Sequence, residues 1–205
     1  MKFVRENIYH IYNRGNNKQN IFFEEKNYHF FLQKMRTHLL LHCHLLAWCL
    51  MPNHFHWMIQ VRHDYETIEN EQPSENKSPV VQPLNKSVST LLSSYTKAVN
   101  NMYDRTGSLF QRRTKSKNLS PGLKTDNNYP LICFLYIHQN PIRSGLVENF
   151  GDWPFSSYQD YAGLRNGKLC NKKLATNLLD IPKTEDRFIQ LSKKSIPDRF
   201  VGKIL

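Results

Sequence analysis

The stretch "HLLAWCLMPNHFHWMIQV" (44–61) predicts two strands turning at Pro52-Asn53. Beyond the turn the side chains alternate. Phe55, Trp57, Ile59 and Val61 take one face, and His54, His56, Met58 and Gln60 take the other. That period of two belongs to a strand. The Phe–Trp–Ile–Val face has to be buried under a second layer of structure. The opposite face poses a chemical question. Two neutral imidazoles two residues apart on a strand can share one cation, but two ligands do not make a site. Solvated strand histidines are the plainer reading of the pair alone.

The other segments supply the second layer. "NIYHIYNRG" (7–15) alternates and is closed by Gly15, which predicts a strand. In "FEEKNYHFFLQKMRTHLLL" (23–41), Tyr28, Phe31, Leu32, Met35 and Leu39 fall at helical spacing behind two glutamates. A second helical stripe runs through Leu84, Val88, Leu91, Leu92, Tyr95, Val99 and Met102, with Gly107 ending that unit. "SLFQRRTKSKNL" (108–119) reads as a basic strand or ribbon. "DNNYPLICFLYIHQNP" (126–141) opens on capping residues with Pro130 in its first turn, and Pro141 is expected to stop it.

The order strand, helix, strand, strand, helix, strand, helix is the βαββαβ pattern of a ferredoxin-like α+β sandwich with one helix added. Residues 62–83 are polar and aperiodic, and are expected to form a mobile surface insertion. Periodicity weakens beyond about residue 150, so an irregular C-terminal extension is expected. The expected division is a main domain over 1–163 and the extension over 164–205.

With 205 residues, 40% of them hydrophobic, the chain can bury a core as one domain. A formal net charge of +11 points to a polyanionic partner, because Lys and Arg bound to phosphates release counterions. No apolar run reaches the ~18 residues that span a bilayer, and no signal core opens the sequence. Cys43, Cys49, Cys133 and Cys170 form no C-x-x-C. A cytoplasmic protein with reduced thiols and no membrane association is expected.

What could complete the histidine pair stands near the end of the last helix, in "YIHQN". Tyr136 and Asn140 are four apart and share a helical face, away from the stripe of Leu131, Phe134, Ile137 and His138. The Asn140 amide oxygen could join the two imidazoles, with the Tyr136 hydroxyl one turn away.

"MPNHFH" followed by "LYIHQNPIRSGLV" resembles the HUH single-tyrosine transposases, most closely their REP-associated branch. "YHIYNRGNNKQNIF", "GSLFQRRTKS" and "WPFSSYQDYAG" extend the resemblance over roughly residues 7–163 in the family's order. It implies that His54, His56 and Asn140 hold a divalent metal and that Tyr136 is the nucleophile. It also implies DNA nicking and strand transfer through a 5′-phosphotyrosine. Two features depart from the family: the insertion at 62–83 is long, and Thr114 stands where an aromatic residue is usual.

The cation expected from the resemblance is Mg²⁺ or Mn²⁺. By ligand softness alone, two imidazoles and an amide suit Mn²⁺ or Zn²⁺ better than Mg²⁺. The expected partner is single-stranded or hairpin DNA, contacted by Arg14, Arg112, Arg113, Lys115, Lys117 and Arg143, with the protein a monomer or homodimer. A non-cleaving hairpin-binding module derived from a transposase is the rival reading, and a metallohydrolase using activated water is a third. His10 reads as a packed or hydrogen-bonded histidine. "HLLLHCH" (38–44) is a weak zinc pattern that crosses from helix into strand, and "GLRNGKL" (163–169) is too short for a P-loop.

Overall fold

The computed structural model describes residues 1–63, 83–120, 128–197 and Phe200. The expected hairpin forms as β2 (Cys43–Met51) and β3 (His54–Val61), turning in two residues at Pro52-Asn53. With β1 (Ile8–Arg14) and β4 (Lys115–Asn118) it makes a four-stranded sheet in the order β2-β3-β1-β4, every neighbouring pair antiparallel. The helices α1 (Glu25–His38) and α2 (Pro83–Met102) connect β1 to β2 and β3 to β4. This is the ferredoxin-like βαββαβ arrangement. Most of the expected insertion, 64–82, lies outside the described residues.

Helices α1 and α2 lie against the Phe55–Trp57 face. Phe31 on α1 meets Phe55 and Trp57 with ring centroids 5.6 and 5.8 Å away, and Tyr95 on α2 closes edge-on at 4.8 Å. Each of these rings is fully buried. A buried aromatic of this size contributes on the order of 2–3 kcal/mol through apolar area alone. The Tyr95 hydroxyl also donates to the Ile21 carbonyl at 2.7 Å, so its polar end is satisfied.

Helix α3 (Tyr129–Arg143) covers the opposite face, chiefly over β2. It does not stop at Pro141. Pro141 forfeits its own N–H, yet the turn after it is held by Ser144 N–H donating to the Asn140 carbonyl. The helix ends two residues later, at Arg143. Gly145, at φ +68°, donates to Ile142, and Leu146 donates to Pro141, which together form a Schellman motif.

The C-terminal segment is more regular than its sequence suggests. It carries a single helical turn α4 (Tyr158–Tyr161) and two eight-residue helices, α5 (Lys172–Leu179) and α6 (Glu185–Ser192). Each of these two helices is amphipathic but spans only two turns, so its period is brief in the sequence. Phe188 of α6 is buried among Phe134, Tyr158 and Tyr161, so this segment joins the core on the outer side of α3. The Gln139 amide donates to the Ser192 and Lys194 carbonyls at 2.9 and 2.8 Å. Residues 155–157 shield the open edge of β2: Leu50 N–H donates to Phe155, and Ser157 N–H donates to Trp48. Among the described residues, no helix is long and apolar enough to cross a membrane.

Candidate active site

The register of β1 on β3 sets Tyr12 opposite His56 and Arg14 opposite His54, and β4 adds Lys115 beside Tyr12. Directly paired residues share a face of the sheet. This face is the one α3 covers, so the histidines of the hairpin meet the tyrosine of the helix. Tyr136 and Asn140 line the same cleft of about 400 Å³ as His54 and His56. The Tyr136 ring stands edge-on to His56 with centroids 5.7 Å apart.

Arg143 reaches this cleft only because α3 continues through Pro141. Tyr136, Asn140 and Arg143 then fall at i, i+4 and i+7 on one helical face. Arg14, Arg113 and Lys115 line the cleft too, and no acidic side chain is among the described residues that do. Arg112 and Lys117 are not brought in. Arg112 is exposed on the loop before β4, and Lys117 donates to the Tyr129 hydroxyl at 2.7 Å. The basic ribbon is thus less regular than expected, since the strand begins only at Lys115 and Arg113 precedes it. Thr114, which replaces the family's aromatic, accepts from Asn13 Nδ2 at 3.0 Å and helps fasten that loop to β1.

Each histidine has its Nδ1 engaged. His54 Nδ1 lies 2.6 Å from the Oδ1 of Asn53, whose Nδ2 in turn donates to the Lys18 carbonyl. An acceptor at Nδ1 places the proton there and the lone pair on Nε2. His56 Nδ1 lies 2.9 Å from His10 Nε2, and His56 Nε2 is buried with no hydrogen-bond partner among the described residues. Burial lowers the pKa of both rings, His56 most strongly, with Arg14 adding to the effect on His54 and His10 and His54 adding to it on His56. Both are therefore neutral near pH 7, the form that binds metals.

Asn140 donates from Nδ2 to the Tyr136 carbonyl at 2.8 Å, and its amide favours the protonated form of His54. The His54 ring, the Asn140 amide and the unpartnered His56 Nε2 line one cleft, a donor set that could take a divalent cation. Among the described residues, no cluster of three or more His, Cys, Asp or Glu could hold a metal. A cation here would take two imidazoles and an amide, and the 38–44 segment forms no zinc site.

Tyr136 is nearly inaccessible, at 4% exposure. Burial raises its pKa, and the Arg143 charge pulls it back. Sequence reasoning gave Asn53 and Tyr12 no part in the site, and its reading of His10 as a packed or hydrogen-bonded histidine holds without showing that the partner is His56. Alternation along β1 already put His10, Tyr12 and Arg14 on one face, but only the strand register shows that this face meets the histidine pair.

Among solved structures, a REP-associated tyrosine transposase bound to a REP hairpin superposes with a TM-score of 0.55. The match covers 80% of this chain and 83% of that one. The fold is that of a REP-associated tyrosine transposase. Sequence identity is 15%, so the likeness is one of architecture. No family model and no curated protein matches the sequence. In this transposase-like fold the tyrosine helix lies over the histidine-bearing face of the sheet, and residues of both line the cleft.

Proposed function

We propose that the protein nicks and rejoins single-stranded or hairpin DNA in a divalent-metal-dependent reaction, with Tyr136 as the nucleophile. The observation that carries this reading is the convergence of Tyr136 and Asn140 with His54 and His56 in one basic cleft, where the His56 Nε2 is buried and unpartnered. His138 in the core also has an unpartnered ring nitrogen, but only that of His56 lies beside a second imidazole, an amide and a tyrosine in the cleft.

His54, His56 and Asn140 would hold the cation, Mg²⁺ or Mn²⁺. When bound it would polarise the scissile phosphate and offset the charge that builds on its oxygens. The remaining chemistry belongs to the chain. Arg14, Arg113, Lys115 and Arg143 hold the backbone phosphates and position them without reading sequence. The Arg143 charge favours the phenolate of Tyr136. The phenolic oxygen attacks phosphorus as its proton departs, the bond to the 3′-oxygen breaks, and that oxygen leaves as a hydroxyl. A 5′-phosphotyrosine remains, which a 3′-hydroxyl can attack in reverse, so the bond is exchanged without ATP.

The test is a 3′-labelled single-stranded hairpin incubated with the protein and Mn²⁺. A denaturation-resistant protein–DNA adduct is expected. Chelation should abolish it, and so should Tyr136→Phe, which should leave hairpin affinity within about twofold because the hydroxyl acts only in bond exchange. Retarded but uncut hairpin would instead mark a binding module. Cut DNA with no adduct would mark a hydrolase that activates water.

A further inference from the structure

His10 is fully buried on β1, one of the two inner strands of the sheet, and does not line the cleft. It reaches diagonally across the β1–β3 pair, since its direct partner is Met58, and meets His56 Nδ1 through its own Nε2 at 2.9 Å. The two rings are nearly parallel, with an interplanar angle of 19° and centroids 5.0 Å apart. The Tyr12 ring also stacks on His10, at 4.7 Å and 22°. His10 therefore has little room to turn.

We infer that His10 is a positioning residue: its Nε2 accepts the Nδ1–H of His56 and so leaves the His56 Nε2 lone pair for a metal. This rests on the proposed metal site. One proton is shared between His10 Nε2 and His56 Nδ1, and its side decides what His56 can do. If His10 donates, the proton of neutral His56 sits on Nε2, which is then a blocked ligand. If His56 donates, Nε2 is a free ligand and His10 carries its own proton on Nδ1. Only the second arrangement is compatible with coordination through Nε2.

The two ligand histidines are thus oriented by different means. His54 leans on an amide oxygen that can never donate, whereas His56 leans on a ring that can do either. A partner of this kind on the far nitrogen of a ligand histidine typically matters 10- to 100-fold in metal affinity. His10 is not itself a ligand, because its Nε2 already faces His56.

The experiment is calorimetric titration of the DNA-free protein with Mn²⁺. It compares the parent chain with His10→Phe, which keeps a flat ring but removes the acceptor, and with His10→Gln, whose amide oxygen restores one. Circular dichroism and hairpin binding in chelator establish that each variant is folded. The expected result is 10- to 100-fold weaker Mn²⁺ binding in His10→Phe, with His10→Gln within about threefold of the parent. Folded His10→Phe that binds Mn²⁺ like the parent overturns the inference. Equal losses in both variants also overturn it, because packing rather than the acceptor would then be the cause. Should His10→Phe fail to fold, the Gln variant decides alone: a loss of tenfold or more refutes the acceptor role, and near-parental affinity supports it. A parent chain that binds no Mn²⁺ is a different result, since it removes the metal site and not only the role given to His10.

Discussion

Within the cleft, the individual side chains divide the labour between charge and geometry. Arg113 and Lys115 line it from the loop and first residue of β4, where they can follow a run of phosphates. Replacing both with alanine should weaken matched and scrambled hairpins alike and reduce the salt slope by about 1–2. Affinity measured against salt for both hairpins checks this. A loss confined to the matched hairpin would mean that these side chains read bases. His138 offers a separate test, in the core. Burial pushes it down to about 3, against about 6.5 in an unfolded chain. Between those values only the unfolded chain takes up the proton. The stabilisation from keeping His138 neutral is thus complete above pH 6.5 and is lost as pH falls toward 3. In metal-free buffer, the stability difference between the parent and His138→Gln should shrink by up to about 1.4 kcal/mol per pH unit below 6.5. Urea midpoints taken between pH 7 and pH 5 would show it. A constant difference would mean that His138 does not titrate this way.

Among the elements, what the sequence made legible follows from repetition. Alternation in 54–61 gave the buried and chemical faces of β3, and the i, i+4 spacing of Tyr136 and Asn140 put both on one side of α3. Pairings between distant segments leave no such trace. Nothing in β1 says that His10 will touch His56, and nothing before Gly145 says that α3 will outlast Pro141 and bring Arg143 inward. The helices α5 and α6 were missed because each is only two turns long and depends on docking, α5 through Ala175 and Leu179 and α6 through Phe188. Two glycines separate two kinds of constraint. A Cβ on Gly15 would meet the Gln19 carbonyl oxygen at 2.0 Å, a clash with backbone, while Gly145 has open space around it and only a positive φ to maintain. Gly15 N–H also donates to the Asn53 carbonyl at 2.7 Å, which ties the loop to the turn before His54. Gly15→Ala is expected to cost about 2–3 kcal/mol and to weaken Mn²⁺ binding. Gly145→Ala should cost about 1 kcal/mol and leave the metal alone. Chemical denaturation and calorimetry on both variants would separate them.

At the scale of the whole molecule, every group of the site belongs to one chain. Tyr136 faces the histidines of its own sheet, on a helix fixed from behind by the Gln139 bonds to Ser192 and Lys194. Adduct formation should therefore scale with the first power of protein concentration. Mixing Tyr136→Phe with His56→Ala should restore nothing, and an adduct in that mixture would show that tyrosine and metal can come from different chains. The sequential order of the site has a practical consequence. His54 and His56 precede residue 64, and Tyr136 and Asn140 follow residue 82, yet β1 pairs with β4 and α1 lies against α2 across that divide. Severed there, the gene would encode two fragments, neither holding a complete site, that carry complementary surfaces for each other. Co-expressed, they would form a split reporter in which a covalent mark on DNA registers that the halves have met.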